Sequence, residues 1–174
     1  MKMTFKIKFL AITLIFLGFA VVANAQNSAT ATASATVVEG SSISKDRDIN
    51  FGSILKSGSA GSLYLSSSGV MTYWGLTAPP SGIPPQTAQF TVTGTAGASF
   101  SIQNSTPSFP IVLTNTSGTG TMEITAIDPS SWTMTVGPTG EITFTVGAYL
   151  SVPANPEVGL YQNTTGFVIT IQFN

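Results

Sequence analysis

The chain has 174 residues, of which only 7% are charged, and it contains neither cysteine nor histidine. Ordinary domains carry about 25% charged residues, so solubility must rest on Ser, Thr, Asn and Gln. Without thiols there are no disulfides, thiolate metal sites or lipid-anchored cysteine. Without imidazole, Ser-His-Asp and Cys-His machinery, His-ligated zinc and the usual general base near neutral pH are excluded.

Residues 1–25 read as a secretory signal peptide. Lys2, Lys6 and Lys8 form a positive start, Phe9 to Val22 is apolar except for Thr13 and Gly18, and Ala23-Asn24-Ala25 is a small-x-small cleavage site. The run is shorter than the ~20 apolar residues a membrane span needs. Cleavage before Gln26 leaves one domain, residues 26–174, with no membrane span. Its three basic residues, Lys45, Arg47 and Lys56, stand against seven acidic ones, a net charge of −4. That is too little positive charge to track phosphates, so nucleic acid is excluded as a partner. Export without disulfides suits a bacterial protein of the periplasm, cell surface or extracellular medium.

Ala29 to Val37 alternates, with Ala29, Ala31, Ala33, Ala35 and Val37 on one face and Thr30, Thr32, Ser34 and Thr36 on the other. This is a strand pattern with a thin apolar side. Two roles fit it: the domain's own first strand, or an extension that completes another subunit's sheet by strand addition. Ile43 to Phe51 continues the alternation, with Ile49 and Phe51 inward. Asp46-x-Asp48-x-Asn50 resembles the start of a calcium loop, but the sixth position is Phe51 and the twelfth Ser57, where glycine and glutamate belong. A solvated strand face explains it, and no metal is expected.

Leu63–Leu65 and Val70–Trp74, joined by Ser66-Ser67-Ser68-Gly69, read as a hairpin. Tyr73 and Trp74 stand beside the stiff stretch Pro79-Pro80-Ser81-Gly82-Ile83-Pro84-Pro85, a candidate platform for sugar or peptide. Ala88, Phe90 and Val92 alternate up to Gly94-Thr95-Ala96-Gly97, and Ala98, Phe100 and Ile102 alternate after it. These two runs also read as a hairpin. Ile111 and Leu113, then Met122, Ile124 and Ala126, then Trp132, Met134 and Val136 supply further inward positions. Ile142, Phe144, Val146, Ala148, Leu150 and Val152 keep one parity through Gly147, where a glycine inside a strand marks a bend or close backbone approach.

Pro153-Ala154-Asn155-Pro156 stops pairing. Tyr161 is placed for its hydroxyl to return to nearby backbone. The last strand carries Phe167, Ile169, Ile171 and Phe173 on one face. Burying four such side chains is worth roughly 6–12 kcal/mol as an upper bound, so this strand belongs inside a sheet, its own or a neighbour's. Eight to ten short strands, with turns every 8–12 residues and no βαβ alternation, make the mature chain an all-β antiparallel β-sandwich. Asn104, Asn115 and Asn163 match glycosylation acceptors by chance in so Ser/Thr-rich a chain.

Asp48-Ile49-Asn50-Phe51-Gly52, Phe90-Thr91-Val92-Thr93-Gly94, Val146-Gly147-Ala148-Tyr149-Leu150-Ser151-Val152 and Gly159-Leu160-Tyr161 with the terminal strand occur in an order that resembles a bacterial exported family, domain of unknown function 4402. The resemblance runs from about Ala29 to Asn174. It implies an immunoglobulin-like sandwich similar to pilus and spore-coat-type subunits, and it brings no catalytic residues. Pilus subunits of related look exchange a donor strand with a neighbour, often helped by a periplasmic chaperone. Many secreted fibre subunits carry a disulfide that this chain lacks.

No phosphate-binding glycine loop occurs, and Asp46, Asp48, Glu123, Asp128, Glu141 and Glu157 show no pairing suited to glycoside hydrolysis. No catalytic residue, cofactor or metal is expected. The expectation is a non-enzymatic structural or adhesive surface protein, a pilus-like subunit in its sharpest form. Its partners are then copies of itself, other surface subunits and a periplasmic chaperone. Strand exchange would use Ala31, Ala33, Ala35 and Val37, or Phe167, Ile169, Ile171 and Phe173. The alternative is a secreted module binding glycan or peptide at Tyr73, Trp74 and the Pro-rich loop.

Overall fold

The computed structural model describes residues 31–35, 40–106, 109–163 and 165–174. The expected signal peptide lies outside them. The chain divides after Thr36. Before that point only residues 31–35 are described, and they are irregular and exposed. The strand expected over Ala29–Val37 is thus not formed across Ala31–Ala35, while Ala29, Thr30, Thr36 and Val37 lie outside the described residues. The physical reason is that ordering a residue costs about 1–2 kcal/mol, whereas a buried methyl-sized group returns only ~0.8 kcal/mol.

The second unit is all-β and antiparallel. Along the chain come β1 (Ser42–Arg47), β2 (Gly61–Leu65), β3 (Met71–Trp74), β4 (Ala88–Thr93), β5 (Ser99–Thr106), β6 (Ile111–Asn115), β7 (Thr121–Pro129), β8 (Thr133–Thr135), β9 (Glu141–Val152), β10 (Tyr161–Gln162) and β11 (Val168–Phe173). They form two sheets. The larger runs β1-β4-β9-β7-β6-β10, with the β2–β3 hairpin also joined to β9, and the smaller runs β11-β5-β8. Apolar residues at alternate positions fill the space between, as in any two-sheet sandwich.

β9 organises the larger sheet. Phe144, Val146, Ala148, Leu150 and Val152 all point inward and are buried. One edge of β9 pairs with β7. The other pairs with β4 over Glu141–Val146 and then with β2 over Ala148–Val152. Gly147 sits at the handover, where a Cβ would fall on the Leu65 carbonyl oxygen and lie 2.8 Å from the Ser67 nitrogen. The glycine is there because a neighbouring backbone already occupies that space.

Two expectations about pairing and parity need correction. β4 and β5 are not a hairpin: β4 pairs with β1 and β9, and β5 pairs with β11 and β8. Gly94–Gly97 carries the chain across the core from one sheet to the other. Alternation reports which face is apolar and is silent on which strand lies alongside. In β7 a register shift between Ile124 and Ala126 lets Ile127 take the buried position expected for Ala126, since a bulge adds one residue and reverses parity beyond it. β1 likewise shifts register between Lys45 and Arg47 and ends there, although Phe51 still reaches the core.

The terminal strand forms as β11, paired along β5, with Ile169 buried and Ile171 and Phe173 half-buried. Among the described residues β5 is its only partner, so its other edge is unpartnered. Asn174 donates its N–H to Ser99. By the alternation of an antiparallel ladder, the amides of Ile171 and Phe173 face the open edge.

Candidate functional site

The first candidate is aromatic. Consecutive strand residues point to opposite faces, so Tyr73 and Trp74 part company. Tyr73 lies opposite Leu63 in the β2–β3 register and packs half-buried against the core. Trp74, 47% exposed, points outward. Its companions are Tyr64 on β2 and Tyr149 on β9, which face each other across the strand pair. Tyr64 and Tyr149 stack at 4.4 Å and 18°, and Trp74 lies 6.2 and 6.3 Å from them at 15° and 4°.

The expected Tyr73/Trp74 pair is therefore replaced by a Tyr64–Tyr149–Trp74 cluster. Its members were legible as outward-facing positions, but the adjacency of β2 and β9 was not. Tyr64 is further fixed by donating its hydroxyl to Asp128 Oδ2 at 2.7 Å. That hydrogen bond, then burial, then the carboxylate charge push the phenol up to about 12. The same oxygen accepts the Ser67 N–H at 3.2 Å.

The Pro-rich loop belongs to a different place. Ile83 accepts from the Ser53 N–H at 3.0 Å and donates its own N–H to Ser53 Oγ at 2.9 Å. Asn50 and Gln86 exchange two backbone bonds of 2.8 and 2.7 Å. These bonds pin the loop to the Asn50–Ser53 segment at the rim of a cleft.

This cleft, about 860 Å³ in volume, lies against the inward face of the larger sheet and reaches Gly166 and Phe167, just before β11. Its floor is the inward face of Phe90, Leu113, Met122, Ile124 and Leu150, and Phe167 also lines it. At the mouth stand Leu55, Ile83, Val158 and Leu160, of which Val158 is 85% and Leu160 62% exposed. Apolar side chains of this size in one concave patch are unusual on a domain that stands alone. Lys45, paired with Asp48 at 2.6 Å, and Lys56 lie at the same rim. No sequence pattern announced the cleft, because its wall is assembled from β1, β4, β6, β7, β9, β10 and several irregular segments between them.

The corner around Tyr161 is built as expected. Its hydroxyl donates to the Glu157 carbonyl at 2.9 Å. Glu157 Oε2 accepts the N–H groups of Thr119 and Gly120 at 3.0 and 3.1 Å. Buried Asn115 closes the same region, accepting from the Ser117 N–H and donating to the Val158 carbonyl. Asp46 accepts from Thr91 Oγ1 at 2.7 Å. Four of the six acidic side chains considered above thus serve the framework, and among the described residues no three His, Cys, Asp or Glu side chains converge.

Of the strand-exchange candidates, Ala31, Ala33 and Ala35 are exposed, and Val37 lies outside the described residues. Phe167 lines the cleft, and Ile169, Ile171 and Phe173 follow on β11.

Neither a curated protein nor a solved structure matches the chain. The family model described as Domain of unknown function (DUF4402) matches residues 41–173, starting after the alternating Ala29–Val37 stretch that the sequence resemblance had included. With most of its length matched in this way, the chain belongs to the DUF4402 family.

Proposed function

We propose that this protein is an exported structural or adhesive subunit of the bacterial surface, without catalytic activity, that joins its neighbours by strand addition. The observation that carries the reading is the unpartnered edge of β11, and a large apolar cleft elsewhere on the same domain supports it. An edge strand offers a row of free N–H and C=O groups, and proteins ordinarily blunt such edges with charge, proline or a covering segment. Here Val168, Thr170 and Gln172 face solvent and no charged residue lies within β11. The open edge offers an added strand its backbone partners, and the apolar inner faces of the sandwich offer side-chain pockets, the two components of recognition by strand addition. The leader-like residues 1–25 support export. Electron microscopy and sedimentation of the protein extracted from its native surface test the proposal. Polymers containing this chain are expected, and strictly monomeric, freely secreted protein overturns it.

A second reading draws on the Tyr64–Tyr149–Trp74 cluster. Near-parallel aromatic rings on an outer sheet face suit stacking against sugar rings. A glycan array separates the readings: binding lost in Trp74→Ala supports a glycan-binding module, and no binding removes it.

A further inference from the structure

The Tyr64–Tyr149–Trp74 cluster sits in a charged surround of one sign. On the outer face of the larger sheet, Trp74, Ser62, Ser151 and Glu123 follow one another across β3, β2, β9 and β7. Glu123 is exposed between the buried Met122 and Ile124. It pairs with Ser151, two residues from Tyr149 on the same face, so Glu123 and Tyr149 are diagonal neighbours. Such neighbours lie about 7–8 Å apart, within reach of long and aromatic side chains. Asp128 flanks the cluster on the other side, accepting the Tyr64 hydroxyl at 2.7 Å. β2, β3, β7 and β9 contain no lysine or arginine. The basic residues of the domain lie elsewhere, Lys45 and Arg47 on β1 and Lys56 at the cleft.

Two properties of this face select a ligand. The three ring planes agree within 18°. A saturated ring laid on Trp74, the most exposed of them, therefore runs parallel to all three and packs its C–H face on aromatic carbon. The second property is charge. A protonated amine over these rings is attracted by their negative faces, and indole is the best of the aromatic side chains for this. The Glu123 carboxylate attracts the same group, whereas an acidic sugar meets only like charge here.

Resting on the glycan-binding reading of this cluster, we infer that its ligand is a glycan with free amino groups, a glucosamine-type polymer. One sugar ring stacks on Trp74, and an ammonium group of the chain pairs with Glu123. The net charge of −4 on residues 26–174 adds a longer-range attraction for such a polymer. A surface subunit built this way adheres to cationic glycans and not to acidic ones.

Calorimetric titration of the processed full-length protein with a glucosamine oligomer tests this. The fully N-acetylated oligomer of the same length and oligolysine are the comparisons. Binding of the free-amine oligomer several-fold tighter than either comparison is expected. Trp74→Ala should abolish it, and Glu123→Gln, at an exposed position that leaves the core intact, should weaken it several-fold. Trp132→Ala, at an equally exposed indole between β7 and β8, should leave it unchanged. At about 1 M salt, where the screening length is only about 3 Å, the preference over the N-acetylated oligomer should shrink. Equal binding of the N-acetylated oligomer overturns the inference and leaves the glycan-binding reading standing with neutral sugars. Equal binding of oligolysine, or a loss in Trp132→Ala matching that in Trp74→Ala, overturns it in favour of contact without a sugar site. No binding of the glucosamine oligomer overturns it too, and the glycan-binding reading then survives only through an array ligand that requires Trp74.

Discussion

Replacing Gly147 with alanine distinguishes close backbone approach from ordinary strand propensity, because the two predict opposite signs. Gly147 has no left-handed φ that would demand glycine. On propensity alone, a methyl in the middle of β9 stabilises by about 0.4–1 kcal/mol through the unfolded chain. The structure says otherwise. The added Cβ meets the Leu65 carbonyl oxygen and the Ser66 and Ser67 backbone, the last two at 2.6 and 2.8 Å. None of these is the end of a flexible side chain. Relief requires the β2–β3 hairpin to shift from β9, and overpacking of this kind costs typically 1–3 kcal/mol. We place Gly147→Ala near 3 kcal/mol, which lowers Tm by about 6–12 °C in a chain of this length. Gly40, with nothing within 4 Å of its Cβ position, is the reference, and Gly40→Ala stays within about 0.5 kcal/mol. Urea denaturation of the processed protein measures both. A Gly147→Ala variant as stable as the parent would refute the assigned handover from β4 to β2.

Other consequences follow from single contacts. Tyr64 holds its proton up to about 12 when folded against an ordinary value near 10. The stability it contributes is therefore complete below the unfolded value and lost as pH rises through the folded one. Tyr64→Phe should flatten that alkaline loss, read from denaturation curves at successive pH values; an unchanged slope counts against the Asp128 hydrogen bond. Phe144→Ala removes a buried ring stacked on Phe90 at 5.5 Å and should cost about 3–5 kcal/mol, a large part of the ~5–15 kcal/mol that holds a domain together. Tyr161→Phe loses one hydrogen bond to an exposed carbonyl and should cost only about 0.5–1.5 kcal/mol, measured by the same denaturation; a loss above 3 kcal/mol would mean the corner does more than this bond.

Much of the fold was legible because the core is written in alternation. The inward series of β9 from Ile142 to Val152, the β2–β3 hairpin, the inward face of the last strand and the Tyr161 corner could all be read from residue order. Pairing across long sequence distances could not. The runs at Ala88–Val92 and Ala98–Ile102 look like a hairpin because both are apolar on one side and a glycine-rich turn lies between. In the fold they face each other across the core, and nothing in a period of two distinguishes these cases. The bulge near Thr125 was hidden for a related reason: one extra residue reverses parity without leaving a compositional mark. The candidate sites depended on these non-local facts. Tyr64 and Tyr149 meet only because β2 crosses over to β9 beyond Gly147. The cleft is lined by residues from Lys45 to Phe167 that only the long-range strand pairing brings together. Ala29–Val37 read as a strand, and over its described part it has none, since alanine gives too little burial to hold a strand without a partner.

The account rests on β11 being an incomplete edge that another chain completes, and amide hydrogen exchange at Ile171 and Phe173 tests this most directly. Their N–H groups face away from β5 by the alternation of the ladder, so in isolated monomers they should exchange quickly, while Gln172 is protected. In multimers extracted from the native surface, the account predicts strong protection at Ile171 and Phe173. Equally fast exchange at both positions in monomer and multimer would contradict it.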